Sequence, residues 1–221
     1  MFVWLLAACS SATSAPDTVA WAGWVYTDGQ TVEEAKITDG AVTVWPEPHA
    51  ADGQIAAAQL YADYPGYWSV DVPPSTPVNV RITSPNTRPT VWAGDTPDAD
   101  GSWFSGALFA ATDRWLEDVF DALLVNGDEW VAVPLRGDVL VLGQPVNDEV
   151  LCEDLTVGGV HPSCWRVGDD GAPESVQTGP VTWFAASAAP GAVELQLGAS
   201  VETWYADGGD VVMAWYLSEA E

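Results

Sequence analysis

Acidic residues spaced ahead of a glycine form one segment that could hold a metal ion. Asp95, Asp98 and Asp100 precede Gly101, and carboxylate oxygens are ligands that Ca²⁺ prefers. An EF-hand loop would need a bidentate Glu at the position that is Ala107 in this chain. The sequence therefore favours a solvated acidic turn, with calcium as the alternative and no other cofactor expected.

Residues suited to acid–base or nucleophilic catalysis are few. The chain has two histidines, His49 in a proline-containing loop and His161 in a Gly-rich loop. Ser102 and Ser105 lack the flanking glycines of a nucleophile elbow, and no HExxH motif or phosphate-binding loop occurs. With 32 carboxylates present, pairs of acids give no specific indication of glycoside hydrolysis. We therefore expect no catalytic residues. An extracytoplasmic hydrolase is kept as the second alternative to the functional hypothesis given at the end of this subsection.

Two of the three cysteines lie close together in the sequence. Cys152 and Cys164 could close a loop by a disulfide in an oxidising compartment, which would stabilise the fold by about 3 kcal/mol. A metal site would need further ligands, because His161 lies between them without a CxxC motif. We therefore predict a disulfide, with two free buried thiols as the alternative.

Tryptophan is abundant, with 13 residues in the chain. Flat aromatic rings on a secreted β protein could stack on sugar rings. Most tryptophans lie in strand patterns and are expected in the core, among them Trp45, Trp68 and Trp183. Three others lie in predicted loops and are candidate ligand-binding residues: Trp92, Trp103 and Trp165.

Charge excludes one class of partner. The formal net charge is −26, from 32 acidic and six basic residues. Such a chain repels phosphate backbones, because non-specific nucleic-acid binding depends on cations that displace counterions. It would also avoid anionic membrane surfaces except through a lipid. We therefore expect no nucleic-acid partner.

Strand patterns account for most of the chain. Residues 67–72 and 78–82 alternate apolar and polar side chains, and the proline-rich segment Pro73–Pro77 separates them. We expect the two segments to pair as a hairpin. Earlier strands are predicted over Val19–Tyr26 and Ala41–Trp45.

A similar pattern recurs in the second half. Residues 181–186 and the alternating segment 193–197 flank a Pro-Gly turn, as the earlier pair flanks Pro-Pro. A further hairpin is predicted from residues 201–205 and 211–217, around the turn 207–210. This pattern-level repetition suggests a duplicated unit of sandwich-domain size.

One amphipathic helix is predicted between the halves, over residues 105–126. Ser105 is the expected N-cap, and Asn126-Gly127 the expected stop. The polar face carries mostly acidic side chains, which favours packing against a sheet over binding to lipid. The apolar face at helical spacing comprises Leu108, Trp115, Leu116, Val119, Phe120, Leu123 and Leu124.

The N-terminal segment resembles the lipobox of bacterial lipoproteins. Leu6-Ala7-Ala8-Cys9 follows an apolar run, and in that family the Cys becomes the lipid-carrying first residue. The resemblance implies a signal peptide over 1–8, a lipid anchor on Cys9, a tether over 9–17 and an extracytoplasmic protein. Ser10 after the Cys implies the outer membrane. No basic residue precedes Cys9, so the alternatives are an upstream start or a frayed apolar N-terminus.

The strand patterns also resemble carboxypeptidase-regulatory-like domains, the transthyretin-like or CnaB-like sandwiches of bacterial surface lipoproteins. The segment Gly66–Pro74 matches their aromatic strand followed by a Pro-Pro turn, and 136–146 resembles the opening of a second copy, with its first two strands within 131–153. The resemblance implies a mainly β fold of two Ig-like or prealbumin-like sandwiches, over 18–98 and 128–221.

These expectations combine into one functional hypothesis. The chain is expected to be a lipid-anchored extracytoplasmic β-sandwich protein at the cell surface or the periplasmic face, with a structural or interaction role. The membrane partner acts through the lipid, and the sequence does not identify a protein or polysaccharide partner. A carbohydrate-binding surface protein that uses the loop tryptophans is the first alternative.

Overall fold

The computed structural model describes residues 18–28, 30–46, 53–99, 104–123, 127–145, 150–168 and 171–215. Within these ranges the chain is mainly β, which confirms the predicted fold class. In chain order the elements are β1 (Val19–Thr27), β2 (Gly40–Pro46), β3 (Ala56–Leu60), β4 (Tyr67–Val72), β5 (Pro77–Thr83), β6 (Thr90–Asp95), β7 (Phe104–Ala110), α1 (Asp113–Ala122), α2 (Gly127–Leu135), β8 (Val139–Gln144), β9 (Leu155–Val157), β10 (Ser163–Val167), β11 (Pro173–Val176), β12 (Trp183–Ala188), β13 (Gly191–Leu197), β14 (Ser200–Ala206) and β15 (Val211–Trp215).

A nine-stranded sheet runs through the centre of the molecule, in the order β11-β10-β12-β8-β15-β6-β5-β2-β3. β15 is the strand that joins its two parts, because it pairs in parallel with β8 on one side and with β6 on the other. The predicted segments 18–98 and 128–221 therefore contribute strands to one shared sheet.

Smaller layers cover the two faces of this sheet. The sheet β4-β1-β7 and the helices share one core with it, and the sheet β14-β13-β9 shares the other. The side chains of β8 illustrate that both faces of the central sheet are buried. Its Leu140 and Leu142 belong to the first core, whereas Val139 and Val141 belong to the second. A continuous apolar run is the pattern expected of a strand covered on both faces, and the result is a sandwich-like arrangement.

The predicted hairpins are wrong in their pairing. β4 lies in the sheet with β1, whereas β5 pairs with β2 and β6 in the central sheet. The segment Pro73–Pro77 therefore crosses between sheets, with Ser75 at φ +48°. The same holds for β14 and β15, and for β12 and β13, which lie in different sheets. Alternation fixes which side of a strand is buried, but it does not specify the neighbouring strand.

The predicted helix is shorter than residues 105–126. Residues 104–110 form β7, which pairs in parallel with β1, so Leu108 lies on a strand. The N-cap is Thr112 rather than Ser105, because the Thr112 hydroxyl accepts a 3.1 Å hydrogen bond from the Trp115 N–H. Pairing with β1 outweighs the helical spacing upstream of this cap. Leu116 and Phe120 of the predicted apolar face are fully enclosed, whereas Leu124 lies outside the described residues.

A second helix occupies residues for which a strand was expected. Gly127 begins α2 and Val131 lies within it, so the strands expected within 131–153 reduce to β8 among the described residues. Asn126 lies outside the described residues. The Trp130 ring stacks on the Phe120 ring with 5.5 Å between centroids, which fixes α2 against α1. Among the described residues, neither helix has the length and apolarity that a membrane span requires.

Candidate functional site

A polar cleft opens beside the central sheet, where β5 turns part of its side chains away from the first core. Val78, Val80 and Ile82 face that core. Because side chains alternate along a strand, Asn79 and Arg81 point to the opposite face, toward the sheet that contains β13 and β14. The cavity there measures about 160 Å³ and is lined by Trp45, Asn79, Arg81, Val91, Gly191, Tyr205, Ala206 and Asp207.

Strand register aligns the floor of this cleft. β2 and β5 pair so that Trp45 lies opposite Asn79 and Thr43 lies opposite Arg81. The indole Nε1 of Trp45 donates to Thr43 Oγ1 at 3.3 Å, and that hydroxyl donates to the Arg81 carbonyl at 3.3 Å. The indole is therefore held in place beside the amide of Asn79. Trp45 lies in a strand, as predicted, but it is only partly buried at the border of the cleft.

Arg81 connects this strand to the turn between β14 and β15. Its Nη2 lies 2.7 Å from Asp210 Oδ1, and its Nη1 lies 3.2 Å from Asp207 Oδ2. The two carboxylates differ in environment: the Asp207 side chain is 79% exposed and that of Asp210 is 1% exposed. The guanidinium thus neutralises a buried charge on one side and contacts a solvated one on the other.

Asp210 also stabilises its own turn. Its Oδ2 accepts a 2.8 Å hydrogen bond from the Asp207 N–H. Burial raises the pKa of the Asp210 carboxyl above its ordinary value, and the hydrogen bonds from Arg81 and from the Asp207 backbone oppose this rise. Desolvation has the larger effect, so the ionised form of Asp210 depends on Arg81.

Asn79 is the second buried polar group of the cleft. It is 1% exposed, and its Oδ1 accepts a 3.0 Å hydrogen bond from the Tyr205 N–H. This bond fixes the orientation of the amide, because a flipped side chain would set two donors against each other. The Nδ2 group and the Nε of Arg81 are both buried and have no partner among the described residues.

The cleft brings together groups that can form hydrogen bonds with a ligand. It combines two unpaired N–H donors with a solvated carboxylate and two aromatic side chains, Trp45 and Tyr205. Among the described residues that line it, none is a histidine or a cysteine. Such a set of groups can orient a polar ligand.

A second cleft, of about 430 Å³, lies beside the disulfide. Cys152 and Cys164 are bonded and both buried, with 6.1 Å between their Cα atoms, which confirms the predicted bridge. His161 Nδ1 lies 2.8 Å from the Leu155 carbonyl. Glu153 Oε2 accepts a hydrogen bond from the Gly179 N–H at 2.6 Å. Both polar side chains thus support the chain around the disulfide.

The loop tryptophans do not form a surface site among the described residues. Trp92 is 8% exposed in β6 and Trp165 is 3% exposed in β10, so the expectation that they lie in loops is wrong. Trp92 Nε1 donates to the Phe109 carbonyl at 2.8 Å, and the Trp165 ring packs near Trp130. Neither ring offers a face to a sugar. Trp103 lies outside the described residues.

The acidic segment is described only in part. Asp95 and Asp98 are exposed, and Asp98 Oδ1 accepts a 2.6 Å hydrogen bond from the Ser75 hydroxyl. Asp100 lies outside the described residues, as do Cys9 and His49. Within the described ranges, no group of three or more His, Cys, Asp or Glu side chains could hold a metal ion.

Sequence patterns did not indicate the cleft, although they predicted the strand and the turn that form part of its lining. Alternation places Asn79 and Arg81 at the polar positions of a strand, and residues 207–210 are predicted as a turn. The available signal was chemical, because Arg81 is one of only six basic residues and it lies in the middle of an apolar strand.

Comparison with known proteins gives no family assignment. No protein-family model and no curated protein matches the chain. The Bacillus anthracis TIE protein aligns with a TM-score of 0.32 and 9% identity over 89% of this chain, which spans only 33% of that chain. The minor pilin GBS52 of Streptococcus agalactiae aligns with a TM-score of 0.22 and 7% identity, over 91% of this chain and 98% of the pilin.

Proposed function

We propose that this chain is an extracytoplasmic β-sandwich module, held at the outer membrane by a lipid on Cys9, with a structural or interaction role and no catalysis. The disulfide between Cys152 and Cys164 is the observation that carries this proposal. Disulfides persist in oxidising compartments and are rare in the cytosol. A closed bridge between two buried sulfurs therefore supports export.

Composition supports the same location. The sequence has six basic residues against 32 acidic ones, so its surface repels nucleic acid and anionic lipid headgroups. Membrane attachment then requires a covalent lipid, which the lipobox-like segment that ends at Cys9 would supply. Stable anchoring takes more than one acyl chain, as in the mature lipoproteins that this segment resembles.

Exposed tyrosines support a role in interaction. Tyr61 is 62% exposed, Tyr64 is 70% exposed and Tyr67 is 40% exposed. Backbone hydrogen bonds hold them on two successive turns, since the Tyr64 N–H donates to the Tyr61 carbonyl and the Tyr67 N–H donates to the Tyr64 carbonyl. Tyrosine is enriched at protein interfaces because it offers a large contact area with a polar end.

Metabolic labelling tests the proposal. The full chain, with its native upstream region, is expressed in a bacterium with an outer membrane in the presence of an alkyne fatty acid. We expect the label and the protein together in the outer-membrane fraction. The matched variant Cys9→Ser should lose both. An unlabelled wild-type protein in the cytosol, with Cys152 and Cys164 open to alkylation, would overturn the proposal.

A further inference from the structure

The cleft lined by Asn79 and Arg81 contains a hydrogen-bond donor for which the described residues supply no acceptor. Asn79 is 1% exposed, its orientation is fixed by the Tyr205 N–H, and its Nδ2 has no partner among the described residues. Buried polar groups are almost always paired, because an unpaired one costs the full desolvation of that group. An acceptor atom of a ligand that enters the cleft would complete this pairing.

Charge selects among the molecules that carry such an atom. Arg81 is the cation of the cleft lining, and it contacts two carboxylates, those of Asp207 and Asp210. The two carboxylates outweigh the single guanidinium, so the local net charge is negative and disfavours an anionic ligand. The formal net charge of −26 disfavours an anion as well. The ligand that fits is neutral.

The remaining groups require that this ligand both donates and accepts. Asn79 Nδ2 and Arg81 Nε need acceptors, while the Asp207 carboxylate, which is 79% exposed, accepts hydrogen bonds. A hydroxyl group does both at once. A small molecule with several hydroxyl groups would form hydrogen bonds with all three of these groups.

The size of the cavity and its aromatic lining favour a ligand with a single ring. The cavity of about 160 Å³ corresponds to the liquid volume of about five water molecules. Trp45 and Tyr205 line it together, and their flat faces suit the apolar C–H faces of a sugar ring. We propose that this cleft binds a single neutral sugar ring, through Asn79, Arg81 and Asp207, with Trp45 and Tyr205 beside it.

This site is independent of the lipid on Cys9 and goes beyond the proposed function. It also differs from the predicted loop tryptophans, because the two of them that the structure describes are buried. Failure of acylation would leave the sugar site intact, and failure of sugar binding would leave the anchor intact.

The test follows the side-chain amide of Asn79 by ¹H–¹⁵N NMR on the full chain. Its peak is assigned by its disappearance in Asn79→Asp, which keeps the acceptor for Tyr205 and removes the donor. The probes are the methyl glycosides of glucose, galactose, mannose and N-acetylglucosamine, with inorganic phosphate and acetate for comparison. Asn86→Asp is the matched control, because Asn86 is exposed and does not line the cleft.

We expect at least one glycoside to shift the Asn79 peak saturably, and phosphate and acetate to leave it unchanged. Asn79→Asp and Asp207→Ala should each weaken binding about tenfold, as the loss of a hydrogen bond worth about 1.4 kcal/mol would do. Asp207 is exposed, so its variant keeps the fold. Three results would overturn the proposal: no shift with any glycoside, tighter binding of phosphate or acetate, or unchanged affinity in both variants.

Discussion

The guanidinium of Arg81 lies 2.7 Å from the carboxylate of Asp210, a residue that is buried. The two residues are 129 positions apart in the sequence, one on β5 and the other at the start of β15. A buried carboxylate is tolerated only when it is paired. This contact therefore ties the covering sheet and its turn to the central sheet.

Removing Arg81 should destabilise the fold strongly. Arg81→Met leaves the Asp210 carboxylate buried without a counter-charge, and breaking a buried pair costs about 3–5 kcal/mol. We expect about 3 kcal/mol, because the Arg81 side chain is 29% exposed. Urea denaturation at neutral pH measures the loss. Arg88→Met is the control, since Asp113 in its ion pair is 51% exposed and such pairs contribute about 1 kcal/mol or less. Equal losses in the two variants would contradict the assigned role of Arg81.

Asp210 should give stability a pH dependence of defined sign. Burial raises the pKa of the folded carboxyl above its ordinary value of 3.8, which the unfolded chain regains. Between these two pKa values the folded chain binds more protons, so the free energy of unfolding rises as the pH falls through this window and levels off below 3.8.

The variant Asp210→Asn isolates this effect from the other carboxylates. Its side chain does not titrate, so the wild type should gain stability relative to the variant as the pH falls through the window. Urea denaturation of both proteins at a series of pH values gives the difference. A difference that is constant with pH, or that moves in favour of the variant on acidification, would disagree with the burial of Asp210.

The disulfide should contribute about 3 kcal/mol. The bridge closes a loop with a sequence separation of 12, and the chain-entropy model gives about 3 kcal/mol for a loop of this length. The double variant Cys152→Ala/Cys164→Ala should lose this much in urea denaturation. The wild type denatured in reductant should lose a similar amount, and an unchanged midpoint in both experiments would show that the bridge adds no stability.

Two glycines of the central sheet should respond oppositely to alanine. A Cβ on Gly143 would lie 2.1 Å from the Phe184 ring and 2.9 Å from the Ala214 carbonyl, whereas a Cβ on Gly94 would meet nothing within 4 Å. Gly143→Ala should cost about 1–3 kcal/mol through overpacking. Gly94→Ala should be neutral or stabilise by up to about 1 kcal/mol, because alanine loses less backbone entropy. Equal effects on the thermal midpoint would be inconsistent with the packing of Phe184 against Gly143.

Local sequence patterns predicted where the strands lie better than they predicted which strands pair with each other. Alternation in β1, β2, β4 and β5 is a property of neighbouring residues, so those strands could be recognised from the sequence. Pairing depends on contacts between distant segments, and for this reason the hairpins were wrong. The helix prediction failed upstream of Thr112 for the same reason, because β1 recruits residues 104–110 into a sheet.

The cleft could not be predicted from local sequence patterns, and the reason is physical. Asn79 and Arg81 occupy polar positions of an alternating strand, and polar positions usually face water. Here β14 covers them, and Tyr205 reaches Asn79 across 126 residues of sequence. Only the three-dimensional arrangement reveals that the amide is enclosed. The disulfide, by contrast, could be predicted because both cysteines lie in one short segment.

The central place of β15 has a consequence for the biogenesis of the protein. Until Val211–Trp215 have been synthesised, β6 and β8 each expose an open edge, because β15 is the neighbour with which both pair. The central sheet therefore stays incomplete until nearly all of the described sequence has been synthesised. Open strand edges of this kind are sites at which a chaperone could act before the sheet is complete.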